Sequence, residues 1–210
     1  MDLGVPLIDY GPVDIGSLRE NLRQLSADFW LMDREARETV AGERPGQAVY
    51  FYNPRPPKVS RMALSEAKSG FVSVLRHKAR PLFTDIQALI DKDMRRHFPE
   101  CDVLRAQLAE LPPGQVIEPH RDGNILALIH RLHVPIITHP DVEFIIDGNT
   151  FCLRADRLYD LNNVVMHSVT NRSDVMRIHL LVDLMPHSLA RARYFDDEDE
   201  MVSALEENNG

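Results

Sequence analysis

Apolar residues in the first half of the chain recur at helical spacing, whereas in the second half they come in short runs cut by turns. Over residues 17–34, Leu18, Leu22, Leu25, Phe29 and Met32 fall three or four positions apart. That spacing predicts an amphipathic helix, with Ser17 and Glu20 as a capping box. Residues 82–97 place Phe83, Ile86, Leu89, Ile90 and Met94 on one side and Pro99 just past the end, which predicts a second helix. Between the two, residues 47–52 predict a strand, closed by Asn53-Pro54 and the Pro56-Pro57 pair.

Past Cys101 the period changes. Residues 103–111 and 116–119 read as strands separated by Pro112-Pro113-Gly114. Residues 131–138 read as another, in which Pro135 predicts an edge position or a bulge. Residues 142–146 run into Asp147-Gly148, a strong hairpin signal. Runs at 151–153, 158–161, 167–170 and 176–183 complete the set. Short strands with such turns predict a mainly β fold, a sandwich or jelly roll, with the N-terminal helices buttressing one sheet. No internal repeat or low-complexity stretch interrupts the chain. The expectation is one domain over residues 1–210: a helix-rich part at 1–100, a β core at 101–186 and an acidic tail at 187–210.

Composition narrows the class. With 44% hydrophobic and 27% charged residues, the 210-residue chain is long enough for a sizeable core. No apolar run of about 18 residues exists, so no membrane span is expected. The first residues lack a basic segment followed by an apolar stretch, so no secretory signal is expected. Cys101 and Cys152 are the only cysteines, which suits buried thiols in a reducing cytoplasm better than a disulfide framework. The net charge of −8 is concentrated in seven acidic residues after Phe195, which leaves the remainder at −1. Nothing there points to nucleic acid.

The chemistry concentrates in His120-Arg121-Asp122, His167 and Arg177. Residues at i and i+2 of an extended segment share a face, so His120 and Asp122 can meet one ion. His167, from a distant strand, completes a two-His, one-carboxylate set with open positions opposite, as in non-haem Fe(II) oxygenases. Arg177 offers a fixed cation to the carboxylate of an organic cosubstrate. On its strand Arg177 and His179 face one way, and Met176, Ile178 and Leu180 the other. Arg131-Leu132-His133 repeats that pattern. A buried Arg needs a partner, either a ligand or an internal carboxylate such as Asp183, Asp141 or Glu143. Of the other histidines, His130 and His139 flank the Arg131 strand as candidates for a cavity mouth, and His77, His97 and His187 read as surface residues.

In these motifs the sequence resembles the aspartyl/asparaginyl β-hydroxylase family of Fe(II)/2-oxoglutarate-dependent oxygenases. The resemblance covers residues 103–186. It rests on Leu111-Pro-Pro-Gly114 before His120, Arg131-x-His133, Gly148, His167-x-Val169-x-Asn171, and Arg177-Ile178-His179-Leu180 ending at Asp183. It implies a double-stranded β-helix, cupin-like core with Fe(II) on His120, Asp122 and His167. It also implies Arg177 on the distal carboxylate of 2-oxoglutarate, His133 beside that cosubstrate, Arg131 near cosubstrate or substrate, and O2 as co-reactant. The expected reaction is hydroxylation of an amino-acid-like substrate, a small molecule or a peptidyl residue. The vertebrate members lack the metal-binding carboxylate that Asp122 provides here. A Lys and a Ser that they carry before the Pro-Gly turn correspond to Gln107 and Ala109, which shifts more of the cosubstrate binding to Arg177 and His133. Three readings compete: a cupin-like metal enzyme without 2-oxoglutarate, a non-catalytic metal-binding module, and a zinc hydrolase with Glu118 as base.

Overall fold

The computed structural model describes residues 1–24, 48–51 and 80–191. Ten strands form two antiparallel sheets. They are β1 (Leu7–Pro12), β2 (Ala48–Phe51), β3 (Cys101–Leu111), β4 (Val116–His120), β5 (His130–Ile137), β6 (Val142–Ile146), β7 (Asn149–Phe151), β8 (Arg157–Leu161), β9 (His167–Asn171) and β10 (Arg177–Pro186). The larger sheet runs β1-β8-β5-β10-β3-β2 and the smaller β4-β9-β6-β7. From β3 onward the chain passes between the sheets so that β3, β5, β8 and β10 lie in one and β4, β6, β7 and β9 in the other. That alternation is the double-stranded β-helix.

Among the described residues, three α-helical segments accompany the sheets, with a 3-10 turn at Asn124–Leu128. These are α1 (Gly16–Arg23), α2 (Arg80–Leu89, continuing through a π turn at Ile90–Met94 to Arg95–His97) and α3 (His187–Arg191). Leu18 and Leu22 of α1 and Leu82, Ile86, Leu89, Ile90 and Met94 of α2 share one core with Leu132, Val134, Ile136, Ile178, Leu180 and Val182. The helices therefore cover the outer face of the large sheet. Its inner face packs on the small sheet through Leu111, Tyr159 and Leu161 against Val142, Phe144, Ile146 and Val169. On β5 and β10 the even-numbered positions serve the helix side, and the odd-numbered positions, Arg131, His133, Arg177, His179 and Asp183, are turned to the space between the sheets.

The turn chemistry follows the sequence. Asp147 and Gly148 both take positive φ (49° and 76°), as a two-residue hairpin of primed type requires, and join β6 to β7. Gly114 at φ 74° closes the Pro112–Gly114 turn. Pro135 sits inside β5, between β8 and β10, where the register slips between Ile178 and His179. It marks a bulge, and not an edge.

Three local expectations need revision. Helix α1 begins at Gly16 without a side-chain cap; Ser17 Oγ instead donates to Asp85 Oδ1 (2.8 Å), tying α1 to α2. Strand β1 was not anticipated; a bulge after Asp9 accommodates it on the edge beside β8. The strand expected at 151–153 is instead Asn149–Phe151. The rest of the first predicted helix, the aromatic Tyr52, the segment 35–47, His77 and the acidic residues from Asp196 on lie outside the described residues. No described helix is long and apolar enough to cross a membrane.

Candidate metal centre

His120 reaches the interior because of a bulge. On β4, Ile117 pairs with Val169 and His120 with His167, so three steps on β4 match two on β9. Without the extra residue, Ile117 and His120 would face opposite sides. With Glu118-Pro119 bulged, both turn inward: Ile117 onto the inter-sheet core, His120 towards His167. Pro119 suits such a position because it has no N–H to give to the ladder. His167 opens β9 between His120 and Ile146. Asp122 lies just beyond β4, in irregular chain, and its N–H donates to Asn163 O (2.9 Å).

The three side chains converge. His120 Nε2 is 3.9 Å from Asp122 Oδ1, the imidazole centroids are 4.2 Å apart, and one ligating atom from each lies within 4.8 Å of the others. Shifts of about an ångström bring all three onto one ion with bonds of roughly 2 Å. Both histidines are held in the tautomer a metal needs. His120 Nδ1 donates to Glu118 O (2.7 Å) and His167 Nδ1 to Val165 O (2.9 Å); a carbonyl can only accept, so each Nδ1 carries the proton and each Nε2 keeps its lone pair. Burial pushes the His167 pKa below its ordinary value, which keeps that lone pair free.

Asp122 is oriented by Arg131. Nη1 of Arg131 donates to Asp122 Oδ2 (2.6 Å), while Nε and Nη2 grip Asp183 Oδ1 and Oδ2 (2.9 and 3.2 Å). The guanidinium thus fixes one oxygen of Asp122 and leaves Oδ1 turned towards His120. Asp183 neutralises Arg131, so the carboxylate keeps the negative charge that attracts a cation. Arg131 thus makes the internal ion pair with Asp183 that the sequence offered as one alternative, and it holds Asp122 as well.

Arg177 behaves differently. It is buried (2% exposed) and forms no ion pair among the described residues. The other candidate carboxylates are engaged elsewhere: Glu143 with Arg172, Asp141 with His139. Its guanidinium lies 5.4 Å from the Phe144 ring centroid, and burial lowers its pKa to about 9. His133 and His179 are buried on the same inner face, and both have pKa values pushed well below the ordinary range, first by burial and then by Arg177. For His133 the further influences include Arg131 and His167.

The remaining histidines serve other ends. His130 Nδ1 bonds Asp160 (2.7 Å) and its ring packs against Phe98. His139 pairs loosely with Asp141 at the surface. His97 packs on Tyr10, and His187 lies between Glu100 and Asp102. Glu118 is exposed; what it contributes to the site is its carbonyl. Sequence reasoning did not foresee the bulge at Glu118-Pro119 or the Phe144 platform, since neither carries a chemical signature of its own.

A double-stranded β-helix presenting two histidines and a carboxylate from its inner face defines a class of metal-site proteins. The model of the aspartyl/asparaginyl beta-hydroxylase family matches residues 18–186, and the chain belongs to that family. No curated protein matches the chain in sequence. Among solved structures, similarity extends to the non-heme alpha ketoglutarate dependent epimerase SnoN from nogalamycin biosynthesis, with 13% identity, 86% of this chain and 78% of that one covered, and a TM-score of 0.46. A cupin domain from Bordetella pertussis matches at 20% identity over 40% of this chain and 90% of that one, with a TM-score of 0.31. A conserved protein of unknown function from Streptococcus pyogenes matches at 17% identity over 39% of this chain, with a TM-score of 0.32; the chain spans 64% of that protein's length.

Proposed function

We propose that this member of a hydroxylase family is an Fe(II)/2-oxoglutarate-dependent dioxygenase that hydroxylates an unactivated C–H bond of an amino-acid-like substrate, free, carrier-tethered or peptidyl, in a reducing cytoplasm. One observation carries the reading: Arg131, which holds Asp122 of the His120-Asp122-His167 cluster, and the buried Arg177, which has no carboxylate partner among the described residues, are turned to the same inner face of the neighbouring strands β5 and β10. A buried cation is costly unless an anion meets it. A keto-diacid with one end at the metal face and the other at Arg177 supplies that anion.

In this reading His120, Asp122 and His167 hold Fe(II), which with 2-oxoglutarate and O2 supplies the oxidising power when bound. The chain's own residues supply position. Glu118 O and Val165 O fix the imidazole tautomers; Arg131 fixes the Asp122 rotamer; Arg177 aligns the distal carboxylate by charge-assisted hydrogen bonds. Phe144, Tyr159 and Val169, all buried, exclude water from the space between the sheets. Neutral His133 and His179 add no further positive charge beside Arg177. A cupin-like enzyme working without an organic acid has no use for an uncompensated buried guanidinium, which weighs against that alternative.

The test is succinate release from 2-oxoglutarate under air, with and without added Fe(II), in wild type and Asp122→Ala. The expected result is Fe(II)-dependent succinate in wild type and its loss in the variant, with turnover stimulated by one member of an amino-acid or peptide panel. Full turnover by Asp122→Ala would overturn the assignment of the metal site.

A further inference from the structure

Among the described residues, five of the nine buried side-chain nitrogen and oxygen atoms without a hydrogen-bond partner belong to three residues: Arg177 Nε and both ring nitrogens of His133 and His179. Unmet buried polar atoms are rare and costly, and their concentration in one place signals a ligand. His179 is fully buried. In register it stands between Ala109 of β3 and Pro135 of β5, neither of which has a side-chain group to satisfy it. It shares the inner face with Arg177 two residues away, and the Cα atoms of such a pair are about 6.6 Å apart. Both side chains lie against one aromatic surface. The His179 ring stacks on Phe144 (5.6 Å, 13°), and the Arg177 guanidinium is 5.4 Å from the same centroid. His133 closes the other side, its ring 5.9 Å from that of His179.

We propose that His179 is a specificity-determining residue that donates a hydrogen bond to the distal carboxylate of the acid held by Arg177, so that the pair Arg177-x-His179 selects a diacid over a monoacid. The proposal deepens the cosubstrate reading and rests on it. A carboxylate has two oxygens with lone pairs for several donors. Arg177 supplies a fork of N–H groups, and a neutral imidazole supplies one N–H without adding a second positive charge. Ala109 offers nothing at the neighbouring position, so His179 is the donor on that flank.

The experiment is calorimetric titration of Mn(II)-loaded protein with 2-oxoglutarate and, separately, with 2-oxopentanoate, a keto acid of the same length without the distal carboxylate. Wild type, His179→Leu and His179→Gln are compared, after thermal melts establish that each is folded. The expected result is that His179→Leu binds 2-oxoglutarate at least tenfold more weakly, binds 2-oxopentanoate as wild type does, and that His179→Gln recovers part of the loss. Unchanged 2-oxoglutarate affinity in His179→Leu, or equal weakening towards both acids, would overturn the proposal while leaving the cosubstrate reading intact. No binding of 2-oxoglutarate to wild type with metal occupancy confirmed would overturn both.

Discussion

Arg131 holds Asp122 by a 2.6 Å bond from Nη1 to Oδ2, and it is held in turn by both oxygens of Asp183. The pairing explains how a carboxylate in irregular chain beyond β4 is kept in position. It also makes Arg131 a positioning residue for Asp122 in the proposed metal site.

Replacing Arg131 by Met should therefore weaken metal binding without touching a ligand. Partners of metal ligands typically matter by 10–100-fold in affinity, and a loss in that range is expected in a competition titration with a chelating dye. The same change strips Asp183 of its cation, so a stability loss of about 3–5 kcal/mol should accompany it. Arg131→Met/Asp183→Leu should recover much of the stability, since a buried pair replaced by apolar groups is often neutral. It should not recover the metal affinity.

Arg177 should show the opposite balance. Because no carboxylate among the described residues compensates it, Arg177→Met should leave the ligand-free protein as stable as wild type or raise its melting temperature by a few degrees, where 1 kcal/mol corresponds to about 2–4 °C at this size. Added 2-oxoglutarate should raise the melting temperature of Mn(II)-loaded wild type and have no effect on the variant. A stability loss as large as that of Arg131→Met would point to a structural role.

Glu110 gives a pH signature independent of the site. Burial raises its carboxyl pKa from 4.5 to about 7. A folded-state pKa above the unfolded value means that the folded chain binds the proton more tightly. Its contribution to stability is thus fully present below about pH 4.5 and is lost as the pH rises through about 7. Glu110→Gln should be more stable than wild type at pH 8 and nearly equal to it at pH 5, as read from denaturant midpoints. An equal difference at both pH values would contradict the assignment.

Asn171 links the turn between β3 and β4 to the turn between β9 and β10. Its Nδ2 donates to Leu111 O and Val175 O (both 2.8 Å), and its Oδ1 accepts from the Ser173 N–H and Oγ. Its backbone exchanges hydrogen bonds with Gly114 and Gln115. Asn171→Ala leaves several buried groups unmet at about 1–3 kcal/mol each. The expected outcome is a destabilisation of several kcal/mol by chemical denaturation, with the wild-type metal stoichiometry retained at low temperature.

The β core was legible because strands report their period directly: 142–146 ends on Asp147-Gly148, and Arg177 and His179 share a face. Spacing also brought His120, Asp122 and His167 to one place. What spacing cannot reveal is a partner. The sequence shows that Arg131 and Arg177 both sit on inward positions; only the fold shows Asp183 beside the first and, among the described residues, no carboxylate paired with the second. Bulges are equally silent. The inward turn of His120 depends on one extra residue at Glu118-Pro119, and Pro135 inside a central strand depends on another. Strand β1 was hidden because Gly11-Pro12 carries turn chemistry while its partner, β8, lies some 150 residues away.

The central claim is that the metal face and Arg177 together hold one molecule of 2-oxoglutarate. The most direct measurement is an anaerobic titration of Fe(II) and 2-oxoglutarate into wild type and Arg177→Ala, following the weak visible charge-transfer band that appears when a 2-keto acid chelates iron. The account predicts a band in wild type that requires both components, and in Arg177→Ala its loss or a need for at least tenfold more 2-oxoglutarate. Absence of the band in wild type with Fe(II) occupancy confirmed would contradict it.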